Sequence, residues 1–411
     1  MIQWKAEFLS AGGLIALLAA ISLQGGAQAA EGASGYQINL LYTGEAWDNT
    51  MGGLRRGFSY MNNADVQLRV DAAKAWGVKG GKAVIEGFYA NGISTGNTWV
   101  GALDQQSPID TAAGKPMTKL YQAYYEQQFG HTAVLVGKYD LETEFSNTKP
   151  MSLFLSKNLT WNTALDQSGT MPNNGTIGPG NYPYTPLAVR VRQSFNDQWS
   201  LALAVANAAS DDPKNLANNG AYFSPVYGAM IISEVDYTPV RYTKVMVGLW
   251  DVTSKLPAFG AKTPSGNQKY VYGEQGGYVG GETRLYAQEG RRGLDSFFTL
   301  GLSTPMTTNV SSSFNGGLTY TGLLDARPTD KMGVSFNINM ASSYYKNSKI
   351  AQGSRFNSQE YSYEITYRAK LNDYVTVQPD AQYIVNPNFT PSLKNDLLVG
   401  LHFEIGNFFD L

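Results

Sequence analysis

Apolar and polar residues alternate with a period of two through most of this 411-residue chain, and that alternation limits what the chain can fold into. The stretch "VTVQPDAQYIVNP" (375–387) places valine, alanine and tyrosine in one phase and Gln378, Asp380 and Gln382 in the other. In a soluble β-protein the polar row faces water and the apolar row faces a core. In a transmembrane barrel the apolar row faces lipid and the polar row faces a water-filled lumen.

The same period recurs in "WSLALAVAN" (199–207), "GVSFNINM" (333–340) and "EYSYEITYR" (360–368), which are rich in aromatic and β-branched residues and therefore predict strands. The predicted strands are 53–60, 65–72, 81–90, 120–129, 132–140, 184–195, 199–207, 228–238, 241–250, 279–288, 294–302, 314–322, 333–341, 359–371, 374–384 and 395–405. Residues 36–42 are a further candidate. Because bacterial single-chain barrels favour even strand counts, we predict sixteen and assign 36–42 to a leader or inward-folded segment.

The connections between the predicted strands alternate in length. The stretches "GHT" (130–132), "NDQ" (196–198) and "ND" (372–373) predict tight turns because they are rich in Asn, Asp and Gly. The long polar connections are 91–117, 162–183, 208–227, 251–278 and 342–358, and a short helix is predicted within 147–162. Short turns on one side and long loops on the other are typical of outer-membrane barrels, with the turns periplasmic and the loops extracellular.

Tyrosine and tryptophan crowd the ends of the predicted strands in the apolar phase, as at Trp199, Tyr237, Tyr320 and Tyr374. Such residues form the aromatic girdles of membrane barrels, whereas in a buried core each tyrosine hydroxyl needs a partner. Mean hydropathy is only -0.25, as expected when alternate residues alone meet lipid. We therefore predict an all-β fold: a single transmembrane antiparallel β-barrel of sixteen strands.

The N-terminus is typical of a secretory signal. Lys5 precedes an apolar stretch at 12–23, and Ala27-Gln28-Ala29 is a small-residue cleavage site. Twelve apolar residues are too few to span a bilayer, which needs about 20. We predict a signal peptide at 1–29 and a barrel domain at 30–411, of which 30–51 is a leader. Export without cysteine excludes disulfides, and the net charge of -2 gives no case for nucleic acid.

Several stretches resemble the carbohydrate-selective porin family (OprB-like). They are "GGLRRGFSY" (52–60), "YQAYYEQQFGHTAVLVGKYDLETEF" (121–145) and "QPDAQYIVNP" (378–387), in the family's order and spacing over essentially the whole mature chain. The resemblance implies a Gram-negative outer-membrane porin that lets sugars, glucose or a similar monosaccharide, diffuse passively into the periplasm. It implies outer-membrane lipid, lipopolysaccharide and the assembly machinery as partners. Assembly usually reads a C-terminal aromatic residue, and here Leu411 holds that place with Phe409 two before it.

Sugar selectivity needs a constriction with convergent donors and acceptors and with weak binding. The charged residues of the predicted lumenal phase are Arg69, Glu86, Glu126, Lys138, Asp140, Arg190, Arg192, Glu234, Arg284, Glu364 and Asp380. Their charges nearly balance, which favours a small neutral sugar over an ion. Substrate binding is assigned first to Glu126, Lys138 and Arg190, which we expect to lie close together, and then to Arg69, Glu86, Glu234 and Arg284. The alternative is that these residues only brace the wall by pairing with one another.

Three tryptophans lie in or beside long loops, namely Trp99, Trp161 and Trp250, where they could stack on sugar faces; Trp250 equally fits an interfacial anchor. No enzyme is predicted, because His131 falls in a tight turn, His402 faces the lumen, and neither offers a nucleophile–base pattern. No cofactor or metal is expected. Two other functions stay open: a structural or adhesive barrel with a closed lumen, and a general diffusion porin without sugar preference.

Overall fold

A computed structural model of the chain describes residues 34–112, 114–157, 161–169, 180, 182–215, 220–288 and 292–411. The described residues form sixteen antiparallel strands in one closed barrel, in which each strand pairs with its sequence neighbours and the first pairs with the last. The predicted fold class is confirmed. The predicted signal peptide at 1–29 lies outside the described residues.

The strands are β1 (Tyr36–Gly53), β2 (Gly57–Asp71), β3 (Gly81–Gly92), β4 (Met117–Phe129), β5 (Thr132–Lys138), β6 (Leu187–Ser194), β7 (Trp199–Asn207), β8 (Ala229–Val240), β9 (Thr243–Lys262), β10 (Gln268–Ala287), β11 (Gly293–Ser303), β12 (Val310–Thr321), β13 (Lys331–Ala341), β14 (Gln359–Lys370), β15 (Val375–Val385) and β16 (Lys394–Asp410). The α-helices are α1 (Ala72–Trp76), α2 (Thr163–Asp166) and α3 (Ser343–Ala351). None of the described helices is long and apolar enough to cross a membrane.

Short helical turns occupy several loops. Four are 3-10 turns, at Leu141–Thr143, Met151–Leu153, Pro225–Tyr227 and Pro387–Phe389, and one is a π turn at Gly96–Val100. The turn at Met151–Leu153 lies within 147–162, where the sequence predicts a short helix. Apart from α3 in the connection 342–358, the described loops thus contain only short helical turns.

The predicted number of sixteen strands is right, although two of the predicted assignments that give this number are wrong. The predicted strands 53–60 and 65–72 are one strand, β2, and the predicted leader 30–51 contains most of β1, which closes the barrel against β16 with Gln37 opposite Asp410. The stretch "NNAD" (62–65), which joins the two predicted strands, carries residues that usually form turns. In the barrel Asn63 and Asp65 face the lumen, and the Asn63 amide donates a 2.9 Å hydrogen bond to Asp65.

The connections separate into two ends of the barrel. The turns at 130–131, 195–198, 241–242 and 371–374 lie at the short-turn end, together with both ends of the barrel sequence. The long connections 93–116, 139–186, 208–228 and 342–358 lie at the opposite, long-loop end. The assignment of the short-turn end to the periplasm and of the long-loop end to the cell exterior stays a prediction.

The predicted long loop at 251–278 is wrong. Its residues extend β9 and β10 into a tall hairpin that turns at 263–267, with Lys255 opposite Tyr272 and Leu256 opposite Val271. The stretch is rich in Gly, Lys and polar residues, which hides its strand character. Pairing between the two arms supplies the hydrogen bonds that a loop would leave to water.

The alternation places one set of side chains on the outer face of the barrel and the other set toward the lumen. On β16 the side chains of Val399 and Leu401 point outward and are 48% and 44% exposed, whereas Gln378, Asp380 and Gln382 on β15 point inward and are buried. If the lumen were filled with water alone, these inward-facing side chains would be exposed to solvent. They are buried because long connections from the long-loop end fold into the barrel, as described next.

Candidate functional site

The connection between β5 and β6, residues 139–186, enters the barrel; its described residues, 139–157, 161–169, 180 and 182–186, are called the inward loop. Its apolar side chains Leu141, Phe145, Trp161 and Leu165 are at most 1% exposed. They pack in one cluster with the lumenal alanines of β7, residues 202, 204 and 206. Small residues on this wall leave room for the loop, so the barrel contains an apolar core inside its lumen.

Wall carboxylates hold the inward loop by its backbone. On β8 the Glu234 carboxylate accepts the Ser146 N–H at 2.7 Å, and on β10 Glu282 accepts the Lys149 N–H at 2.5 Å. On β14 Glu364 accepts the N–H groups of Leu155 and Ser156 at 2.7 and 3.1 Å. The buried N–H groups that lie outside the short helical turns of this loop need partners, and a carboxylate makes strong hydrogen bonds to them. The loop is therefore fixed across the lumen from β8 to β14.

One of these anchors depends on a glycine. Gly248 on β9 pairs with Glu234 on one side and Tyr278 of β10 on the other, so the three residues form a row across the wall. A Cβ on Gly248 would meet the Tyr278 ring at 2.1 Å. The missing side chain lets the ring lie against the wall, where its hydroxyl donates a 2.6 Å hydrogen bond to Glu234.

A chain of charges with alternating sign crosses the wall below this loop. We call it the charge ladder; its members in order are Lys82, Glu126, Arg190, Glu144, Arg192, Asp236 and Lys244. Lys82 Nζ lies 2.8 Å from Glu126 Oε1, and Glu126 also accepts from the Arg190 guanidinium. The Asp236 carboxylate pairs with two cations: its Oδ2 lies 3.2 Å from Arg192 Nη2, and its Oδ1 lies 3.6 Å from Lys244 Nζ.

Glu144 ties the ladder to the inward loop. Its Oε2 lies 2.8 Å from Arg190 Nε, an ion pair without the angles of a hydrogen bond, and its Oε1 lies 3.1 Å from Arg192. The Tyr139 hydroxyl donates to the same carboxylate at 2.6 Å. The carboxylate thus sits between two arginines of β6, and the loop contributes a charge that the wall alone lacks.

The whole ladder lines a cavity of about 860 Å³ between the inward loop and the short-turn end. A second cavity of about 520 Å³ adjoins it and shares Lys149, Tyr242, Glu282 and Lys331. The charged residues lining the two are eight basic (Lys82, Lys149, Arg190, Arg192, Arg241, Lys244, Arg284, Lys331) and five acidic (Glu126, Glu144, Asp236, Glu282, Asp295). The predicted near-balance of lumenal charge is therefore wrong for these cavities, which carry an excess of three positive charges.

Of the predicted sugar-binding residues, the structure brings Glu126 and Arg190 together and separates Lys138 from them. Glu126 lies opposite Leu135 on β5, and Lys138 lies three positions further along that strand, opposite Ala123. That offset is about 10 Å at 3.3 Å per residue. The prediction that Glu126 and Lys138 lie close together is wrong, because it counted positions from the edges of the turn rather than pairing the strands. Lys138 Nζ instead donates to the Thr185 carbonyl.

The four remaining predicted residues have bracing contacts. Glu234 is the loop anchor described above, and Glu86 accepts from the amides of Gln67 and Gln122 at 2.6 and 2.9 Å. Arg284 makes a two-pronged pair with Asp295 at 2.7 and 2.9 Å. Arg69 lies near the C-terminal end of β16, with its guanidinium 4.3 Å from the Phe408 ring. Among these four, Arg284 alone lines either cavity.

Five ladder residues were not predicted as sugar-binding residues: Lys82, Glu144, Arg192, Asp236 and Lys244, of which Arg192 was predicted only as a lumenal charge. Lys82, Asp236 and Lys244 share the lumenal phase of their strands with Glu86, Glu234 and Met246, so the alternation could have found them. Glu144 lies outside every strand. Its role depends on the path of the inward loop, which no periodicity in the sequence reveals.

The aromatic and histidine candidates are mostly buried. Trp161 and Trp250 are 1% and 3% exposed, and Trp250 stacks on Tyr278 inside the lumen, so its assignment as an interfacial anchor is wrong. Trp99 lies under the Arg55 guanidinium at 4.4 Å. His402 is buried with its Nδ1 2.7 Å from Glu45.

Comparison with known proteins gives one consistent result. Residues 55–406 match the family described as carbohydrate-selective porin, OprB family. Porin B of Pseudomonas aeruginosa is 23% identical over 409 residues, covering 90% of this chain and 87% of that protein. The putative porin QuiX of Acinetobacter baylyi is 21% identical over 246 residues, covering 55% of this chain and 56% of that protein. The high-pH structure of Pseudomonas putida OprB shares the fold, with a TM-score of 0.80, 20% identity and 91% and 94% of the two chains covered.

Proposed function

Because the chain belongs to the OprB family of carbohydrate-selective porins, which reside in the outer membrane, we propose that it passes neutral sugars of monosaccharide size, glucose or a close relative, by passive diffusion and binds them at the charge ladder. Membership of that family supports a channel rather than an enzyme. The family and the barrel together give its selectivity class and its location. The ladder supplies the proposed binding site.

The observation that carries this proposal is the row of alternating carboxylates and cations along one cavity wall. Vicinal hydroxyls of a sugar both donate and accept, so they match neighbouring carboxylate and guanidinium groups. Every ladder charge already has a partner, so a sugar can form hydrogen bonds along the ladder without having to neutralise a bare charge. Binding of this kind is weak, which lets the solute leave.

The ladder lies in a confined space, which favours contact with a small solute. The inward loop covers the ladder from the long-loop end, and Glu144 on that loop forms one rung. A solute in the 860 Å³ cavity therefore contacts wall and loop together. Arg284 and Lys138, which were predicted to bind substrate, are proposed to brace the barrel instead.

The proposal is tested with purified protein in two assays. In planar bilayers glucose should reduce the ion current with a saturable concentration dependence. In proteoliposomes glucose should enter faster than a neutral non-sugar solute of equal size. Absence of conductance would favour a structural barrel with a closed lumen. Entry that follows solute size alone, without current block, would favour a general diffusion porin.

The proposed biogenesis follows the usual route for such proteins. Residues 1–29 are proposed to be removed on export, and β16 is proposed to be read by the outer-membrane assembly machinery. The outward faces of the strands are proposed to contact membrane lipid and lipopolysaccharide. Intact-mass measurement of the protein from outer membranes tests the first point, since a mature start near Ala30 is expected.

A further inference from the structure

The 520 Å³ cavity, called the exit cavity, lies beside the ladder at the short-turn end. Its charged lining residues are Lys149, Arg241, Glu282, Arg284, Asp295 and Lys331. The volume falls within the roughly 300–1,000 Å³ typical of small-molecule sites. Because it shares lining residues with the ladder cavity, a solute that leaves the ladder toward the periplasm passes beside it.

The balance of charge in the exit cavity differs from that of the ladder. Arg284 and Asp295 neutralise one another in their two-pronged pair. The remaining charged lining residues are Lys149, Arg241 and Lys331 against Glu282. The cavity therefore has an excess of two positive charges.

Two of these cations are available to a ligand. In the part of the chain that the structure describes, neither Lys149 nor Arg241 is in direct ion-pair contact with a carboxylate; Glu282 attracts the Lys149 ammonium only from a longer distance. Arg241 lies over the Tyr242 ring at 4.7 Å, in the two-residue turn between β8 and β9. Lys149 projects from the inward loop, whose backbone N–H at that residue is held by Glu282. The two come from different elements and line the same space.

The rest of the lining suits hydroxyl groups. Thr283, Thr319 and Thr321 come from β10 and β12 and place hydroxyls along the cavity wall. A threonine hydroxyl both donates and accepts, as a sugar hydroxyl does. Positive charge and hydroxyl groups in one cavity match a molecule with a carboxylate at one end and hydroxyls along the rest.

We propose that the exit cavity is a second binding subsite, which takes sugar acids, that is, polyhydroxylated molecules with one carboxylate. The carboxylate lies between Lys149 and Arg241, and the hydroxyls face the threonines. This inference rests on the proposed permeation of sugars and extends it from neutral sugars to their acids. The ladder, whose charges are all paired, binds the neutral sugars.

The test compares block of the ion current by sodium glucuronate, sodium acetate and glucose at constant ionic strength. The variants are Lys149→Gln, Arg241→Gln, the double variant and the charge-preserving Arg241→Lys. The matched control is Lys255→Gln, which removes an exposed lysine from the outward face of β9. Retained heat-modifiable mobility shows that each barrel is folded.

The double variant should need about fivefold more glucuronate for half-block, since each exposed cation contributes about 0.2–1 kcal/mol. Arg241→Lys and Lys255→Gln should stay near wild type, and acetate should block more weakly than glucuronate. In Arg241→Gln glucose block should not change, because Arg241 lines the exit cavity and not the ladder cavity. Unchanged glucuronate block in the double variant overturns the subsite, as does a loss of glucose block in Arg241→Gln that equals its loss of glucuronate block. Acetate as potent as glucuronate overturns the sugar-acid assignment. Loss of glucose block in the wild type, with glucuronate block intact, contradicts the proposed function alone.

Discussion

Arg190 on β6 lies 2.8 Å from Glu144 on the inward loop and also pairs with Glu126 on β4, so one guanidinium joins the loop to the barrel wall. Breaking a pair of this kind leaves an uncompensated charge in a partly buried place, which is more costly than removing an exposed pair. The position of the loop and the chemistry of the ladder are therefore coupled through Glu144.

Replacing Glu144 with Gln should shift ion selectivity. The change removes one of the five carboxylates that line the cavities and leaves eight basic residues, so the preference for anions should increase. The reversal potential in a salt gradient measures it. Glu142→Gln is the matched control, because Glu142 lies in the same loop but lines neither cavity. Equal shifts of the reversal potential in the two variants would show that the Glu144 carboxylate does not determine ion selectivity through its position in the ladder.

Replacing Glu364 with Ala should loosen the inward loop without unfolding the barrel. The change removes the acceptor of the Leu155 and Ser156 N–H groups, and each buried N–H without a partner costs about 1–3 kcal/mol. Larger open-channel noise and a higher mean conductance are expected in planar bilayers. Glu404→Ala is the control, since Glu404 is a lumenal carboxylate that pairs with Arg368 and not with the loop. Identical noise in both variants would mean that Glu364 does not hold the loop.

An arginine on the lipid face should destabilise the barrel in proportion to its depth. Leu401 lies in the middle of β16 and faces outward, so Leu401→Arg should cost about 2–4 kcal/mol if that site is near the bilayer midplane. Phe129 faces outward beside the turn at 130–131, where the same change should cost about 0–1 kcal/mol. Urea titration of folding into lipid vesicles measures both. A larger loss of folding free energy in Phe129→Arg than in Leu401→Arg would show that Leu401 does not lie nearer to the bilayer midplane than Phe129.

Docking of the inward loop should depend on pH through Asp140. Burial, with help from the neighbouring Glu142 carboxylate, raises the pKa of Asp140 to about 7, above its ordinary 3.8. A raised carboxyl pKa means that the docked loop favours the protonated form, so this contribution is full below pH 3.8 and is lost as the pH rises through about 7. Open-channel noise should therefore be greater at pH 8 than at pH 5.5. Asp140→Asn should remove the difference; persistence of the difference in that variant would assign the effect to another group.

The alternation of residues predicts the barrel, the lipid face and most strand positions because each follows from a local period of two. The errors fall where local pattern and long-range pairing disagree. Asn63 and Asp65 are turn formers that lie in mid-strand, and β1 gains its strand character from pairing with β16. The tall hairpin of β9 and β10 is stabilised in the same way.

The site was only partly predictable. Glu126 and Arg190 could be found because they lie in the lumenal phase of strands that pair with a common neighbour, β5. Lys138 was misplaced because its depth depends on the register rather than on its distance from a turn. Glu144 was missed because the loop that carries it follows its path through contacts with Glu234, Glu282 and Glu364, all distant in sequence.

The most direct test of the account is the concentration of glucose that half-blocks the ion current in Arg190→Ala and in Arg327→Ala. Both arginines pair with carboxylates, but Arg327 pairs with Asp330, and neither of these two residues lines the ladder cavity or the exit cavity. Arg190→Ala should raise that concentration about tenfold, as expected when a charge-assisted hydrogen bond worth about 1.5 kcal/mol is lost. Arg327→Ala should leave it unchanged, and Arg190→Lys should recover part of the loss. Unchanged block in Arg190→Ala, with the barrel still folded by its mobility on heating, would contradict the assignment of the charge ladder as the sugar site.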